Sequence, residues 1–237
     1  SADTVDTDDT FKSAGLDWTA TTKIQLDGLV TSTATVDLTA ALIDVNAGIT
    51  AAGQLVDLNA GATGLTLDGG NITTTAATAG SASGAIDIDS VGSVNLVGNL
   101  VTTGVAGNHT TTAGATGGAV TIDTTGAATL SLSDITSSGG AADVTSNADG
   151  GDAGTITLNT NAGLITLNSS SITAAGGAGG SGGAQGAGAD ITISDAVALA
   201  GGAATVDTGA TTGDITFSST INGARGLTLT AGTGTLT

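Results

Sequence analysis

The groups in this chain that could do chemistry are few, and most are aspartate. All 21 acidic residues are Asp, set against only Lys12, Lys23 and Arg225, for a formal charge of −18. Asp carboxylates and backbone carbonyls are the usual donors to Ca²⁺. Asp57, Asp87, Asp89 and Asp123 fall on equivalent outward positions of successive repeats, which makes them the candidate ligands of a surface Ca²⁺ site. Like charges on neighbouring strands repel, which is what a bound cation would relieve; a hydrated acidic face is the competing reading. His109 is the only histidine, in Gly-Asn-His-Thr-Thr-Thr within a loop, and the chain has no Cys. A lone loop histidine with no nucleophile signature reads as solvated. Asp87 and Asp89 could imitate the paired carboxylates that cleave polysaccharides, but such sites also hold sugar with basic and aromatic groups. Phe11, Trp18 and Phe217 are the only aromatics here, so the expectation is a protein that is not an enzyme and has no catalytic or cofactor-binding residue.

Two weaker signals belong beside these. Gly186 to Ile191 approaches the nonapeptide calcium-roll pattern but fails at Gln185 and Thr192. Outward Thr121, Thr157, Thr192 and Thr216 resemble the Thr arrays of ice-binding solenoids, yet Asp and Ser interrupt the array and Thr is common on exposed strand faces.

The elements that must position these residues are short and repeat. In GTITLNTNAGLITLNSSS, Gly154 to Ser171, Ile156 and Leu158 alternate with Thr155, Thr157 and Asn159, and Ile165 and Leu167 repeat the alternation after an Asn-Ala-Gly turn. The same pair begins at Val36, Val56, Ile86, Val120, Ile156, Ile191 and Ile215, with second strands at Ile43, Leu65, Val94, Leu130, Ile165 and Val197 and then at Ile221 or Leu227. Strands too short to bury a face alone, repeated with Gly, Asn and Asp turns, predict the stacked coils of an all-β parallel β-helix, or β-solenoid, of about seven coils. The two inward columns that this register creates, from Val36 to Ile215 and from Leu38 to Phe217, are wholly apolar. They hold no buried charge or cofactor.

Composition agrees with that architecture. Apolar content is 39%, nearly all small aliphatic, with 40 Gly and no Pro or Met, which suits a slender core. So acidic a field repels phosphate backbones and anionic bilayers, and no apolar run approaches the ~20 residues of a membrane span. Nucleic acid and membrane insertion are thus excluded from the expected partners. Residues 1–22 read as an acidic terminal segment, either a cap laying Phe11 and Trp18 over the first coil or an acidic tail. Residues 23–237 read as a single solenoid with Gly/Ala/Thr-rich insertions at about 73–84, 102–118, 137–154 and 173–189. Such segments predict mobile surface excursions, since a Gly-rich polyproline-type bundle would need partner segments.

From 155 onward the chain carries ITLNTNAGLITLNSSSITAAGG, GADITISDAVALAGG and GDITFSSTINGARGLTLTAGTGTLT. These stretches resemble the repeat region of large bacterial filamentous-haemagglutinin-type adhesins. The resemblance implies a right-handed coil, export to an extracellular or cell-surface location, and a structural or adhesive role towards a host or matrix surface. Without Pro the chain lacks the Asn-Pro motifs of that family's secretion domain, so a stalk portion of a longer protein and a separately exported subunit both remain open. Thr235-Leu236-Thr237 reads as the start of another strand, which predicts either continuation of the chain or head-to-tail self-association, with Ca²⁺ relieving charge repulsion.

Overall fold

The computed structural model describes residues 2–109 and 112–237; Ser1 of the predicted terminal segment and Thr110 and Thr111 of the second predicted insertion lie outside the described residues. The described chain is all β, without a helix, and its strands form two sheets of 14 and 9 members in which every pairing is parallel. Among the described residues no helix is long and apolar enough to cross a membrane. The first sheet is curled. Its early members, Leu16–Leu26, Val36–Val45 and Val56–Leu67, run unbroken through the bend, with register shifts after Thr19 and Ala40. From Ile86 onward a turn replaces the bend, so that Ile86–Ser90 and Val94–Leu96 are separate strands, and likewise in each later round.

The register is that of the alternation. Leu16, Val36, Val56, Ile86, Val120, Ile156, Ile191 and Ile215 pair in succession, each at most 4% exposed. A second column runs Ile24, Ile43, Leu65, Val94, Leu130, Ile165, Val197 and Ile221, which settles the ambiguous seventh partner as Ile221. Val and Ile suit these buried ladder positions because branching at Cβ packs well on a pleated surface and is disfavoured in helices, while Leu is there for its apolar volume.

Three features depart from the sequence reading. The ladder is longer than seven rounds: it starts with Ala2–Thr7 paired to Leu16–Leu26 and reaches Leu236, bridged to Ile215, while the second sheet has 9 strands. Alternation is weak before Lys23, so these first rounds are not apparent by pattern. Each round also contributes a third strand, placed in the second sheet, whose column is Phe11, Val30, Ile49, Ile72, Leu100, Ile135, Ile172, Val206 and Leu229. Most of these strands are two or three residues long, too short to display a period of two.

The third departure concerns the Gly-rich insertions, which are not loose excursions. Each leaves the second sheet, reverses, and returns, and both limbs of 102–118 and of 137–154 hydrogen-bond to the limbs of the next round in steps of three residues. Gly104 and Gly107 donate N–H to the carbonyls of Ser138 and Ala141; Gly139 and Ala142 donate to Ala175 and Ala178. On the returning limbs Gly114 and Gly117 donate to Asp149 and Asp152, and Gly150 and Ala153 to Ala184 and Ala187. A three-residue step is the period of polyproline II, not of a strand. The limbs also interlock across the layer: Gly140 donates to Ala115, Gly151 to Gly140, Gly177 to Gly151 and Gly186 to Gly177, each at 2.8 Å. The partners that a polyproline-type bundle requires are supplied by stacking, one round above and one below. Glycine is required because the backbones nearly touch: a Cβ at Gly151 would stand 1.9 Å from the Ala115 carbonyl oxygen, and one at Gly177 1.9 Å from that of Gly140.

Hydroxyls close the necks of the first three insertions and of the short turn 208–213 in the round after the fourth, whose own neck is closed by the Ala189 N–H on the Ala174 carbonyl. Thr74, Thr102, Ser137 and Thr208 are fully buried, and their side chains donate to the carbonyls of Gly84, Gly118, Gly154 and Gly213 on the returning limb, at 2.6 to 2.9 Å. A buried hydroxyl is costly unless it is paired, so each neck that holds one is fixed by the requirement that it be paired.

Candidate functional site

The outer surface of the first sheet carries the acidic residues singled out by spacing. Asp17, Asp37, Asp57 and Asp87 form one in-register column, followed by Thr121, Thr157, Thr192 and Thr216. Two residues along each strand, Thr19, Thr39, Asn59, Asp89, Asp123 and Asn159 form the next. The proposed four ligands are therefore split between two columns, Asp57 with Asp87 and Asp89 with Asp123. Partial burial, and then the neighbouring charges of Asp37 and Asp89, push the Asp57 carboxyl up from its ordinary 3.8; an Asn59 Nδ2 bond at 2.8 Å works against the rise. Burial, followed by the charges of Asp89, Asp57 and Asp123, raises Asp87 likewise. Both rises come first from burial of the carboxyl and then from the like charges beside it.

Asp89 and Asp123 also stand on the wall of a groove of about 650 Å³. It follows the bend of the curled sheet and is lined by Ala20, Ala40, Ala41, Ala60, Gly61 and Val91, the last 54% exposed. The small side chains are what leave the groove open. In the later rounds the register position of Ala40 and Ala60 is taken by Ser90 and then Thr124.

One acidic trio escapes a reading by repeat position. The carboxylates of Asp6, Asp8 and Asp27 each offer an oxygen within 4.8 Å of the others, the one such group of three among the described residues. Asp27 arrives there because its N–H, and that of Gly28, bond the Thr7 carbonyl one round earlier. Alternation already puts Asp6 and Asp8 on one side, but the partner 19 residues later is hidden unless the terminal segment is recognised as a round. Asp27 is committed to bonds from Asn46 Nδ2 at 2.6 Å and Gln25 Nε2 at 2.7 Å, and these hold its pKa below the ordinary value.

Most of the later aspartates are structural clasps. Asp149 and Asp152 accept the N–H groups of Ala184 and Ala187, Asp190 that of Asp214, Asp214 that of Thr235, and Asp134 that of Ser171, all at 2.7 to 2.8 Å. Each bond ties one round to the next. Asp is the right length for this: its carboxylate reaches a backbone N–H across the ~4.8 Å between strands without a long flexible stem. At Asp195 burial works to raise the pKa, but the N–H groups of Thr160 and Ala162 outweigh it and leave the carboxyl lowered. A lowered carboxyl contributes stability that is present above its unfolded pKa of 3.8 and is lost as pH falls through the folded value. We therefore expect Asp195→Ala to cost about 1–2 kcal/mol at neutral pH. In acid melts the variant and the parent should converge below the folded pKa of Asp195; a gap that persists there would mean the side chain acts through packing.

Among the cations, Lys23 Nζ pairs with Asp44 at 2.7 Å. His109 is 84% exposed in its side chain, with Nδ1 3.2 Å from Asp143. The bonds of the Thr145 hydroxyl and N–H, more than the imidazole, keep the Asp143 carboxyl low. No family model, curated protein or solved structure matches the chain.

Proposed function

We propose that this chain is a structural and adhesive segment of an extracellular bacterial surface fibre, wound as a right-handed parallel β-solenoid, with no catalytic role. The observation that carries the reading is the continuity of the three aliphatic columns through successive rounds, which makes an extended scaffold whose identity lies in its surface. Crossovers between parallel strands of one sheet are right-handed in about 98% of cases, which supports the hand. The strand openings and coil closures that resemble haemagglutinin-type repeats support export and the adhesive setting.

A second reading, a subunit that assembles head to tail with Ca²⁺ easing repulsion between acidic columns, draws on the last round. There Ile221, on the last strand of the first sheet with one edge unpaired, is 38% exposed, and Leu236, bridged to Ile215, is 53% exposed. Electron microscopy of the isolated protein, with and without Ca²⁺, separates the two. Discrete rods of about 40 Å, set by nine rounds at ~4.8 Å, are expected from the first reading, and rods that lengthen on adding Ca²⁺ from the second. Antibody labelling of intact source cells supplies the export test: label that appears only after lysis overturns the surface assignment.

A further inference from the structure

The groove at the bend of the first sheet has a composition that selects one kind of occupant. Its wall is a column of oxygen acceptors, Thr39, Asn59, Asp89 and Asp123, and no basic side chain lines it. Its floor is alanine methyls and glycine, and no aromatic ring is present to stack on a sugar or a base. Asp89 and Asp123 are paired in register, so their charges repeat along the stack at about one strand spacing, roughly 4.8 Å. A ligand that satisfies both features carries positive charges separated by short methylene runs and lies parallel to the stack, ammonium groups on the carboxylates and methylenes on the alanines. We propose that this groove binds a linear aliphatic polyamine. Anions are excluded by sign. A bare divalent metal is poorly suited, because the groove offers two carboxylates beside an apolar floor and the closely grouped carboxylate trio, Asp6, Asp8 and Asp27, lies elsewhere. The inference goes beyond the fibre reading and does not depend on it, since binding is read on the isolated folded chain.

The test is calorimetric titration of the whole chain with spermidine at physiological ionic strength, folding being confirmed by circular dichroism for every variant. Saturable binding at one site is expected. Asp89→Asn with Asp123→Asn should weaken it roughly tenfold or more, as the loss of two charge-assisted bonds requires. Ala41→Leu, which fills the groove and keeps every charge, should weaken it as well. Asp6→Asn with Asp8→Asn removes the same two charges at a distance and should leave it unchanged. Equal weakening by the distant pair, full binding by Ala41→Leu, or displacement by Mg²⁺ at matched ionic strength would each show diffuse counter-ion attraction and overturn the proposal.

Discussion

Gly151→Val is expected to destabilise the protein by at least about 3 kcal/mol, a large fraction of the roughly 5–15 kcal/mol that holds a chain of ordinary stability folded. Gly151 donates to Gly140 and accepts from Gly177, at the crossing point of two polyproline limbs. A side chain there meets backbone on the Ala115 carbonyl, which cannot swing aside as a side chain would. The damage should spread to the neighbouring rounds, because each limb is held only by those above and below. Gly226→Ala is the matched control: its nearest obstacle is the Ala203 methyl at 3.7 Å, an ordinary contact, so it should lie within about 0.5 kcal/mol of the parent or slightly above it. Were the insertions loose, both variants would melt alike. A denaturant midpoint for each decides the matter.

Adjacent substitutions on the strand Val56–Leu67 should have opposite signs. Leu58 is fully buried between Leu38 and Ile88, so Leu58→Asp places a carboxylate where no partner exists and should cost more than about 4 kcal/mol. One residue earlier, Asp57→Asn should stabilise by about 0.2–1 kcal/mol at low salt, because it removes one member of a like-charged column. The pH dependence fixes the cause. A carboxyl whose folded pKa is raised favours the folded state below its ordinary 3.8 and loses that contribution as pH rises through the folded value. The advantage of Asn over Asp should therefore be full at pH 7 and vanish in acid. A one-residue slip in register would exchange the two outcomes, so the pair also tests the alignment of the ladder.

What was legible in the sequence was whatever expressed itself as a period. Alternation at Val36, Leu38 and their equivalents gave the inward columns, and these pair as aligned down to Ile215. The outward aspartates followed from the same register, which is why Asp57 and Asp87 do stand on neighbouring strands. What lacked a period of two was hidden. The third strand of each round carries too few residues to alternate, and the first rounds, with Thr4, Asp6 and Asp8 among their outward positions, resemble an acidic tail in composition. The polyproline limbs were hidden for a different reason: glycine carries no pattern of its own, and the ordering of AGGAGGSGG comes from backbone partners about 35 residues away, not from buried apolar area. The clasps of Asp149, Asp152 and Asp195 were invisible for the same reason, since their acceptors serve N–H groups a full round distant.

The buried hydroxyls at Thr74, Thr102, Ser137 and Thr208 have a consequence for how such a chain can change its length. The first three pin the base of an insertion to the scaffold and Thr208 pins the shorter 208–213 turn, whatever lies beyond the pin. Outside the pin, in 102–118 and 137–154, bonding recurs every third residue, so adding one triplet to the outgoing limb and one to the return leaves every other position in phase. Insertions and deletions in multiples of three per limb should therefore be accepted as silent changes of reach, while single-residue indels rotate the glycines out of the crowded line and are purged.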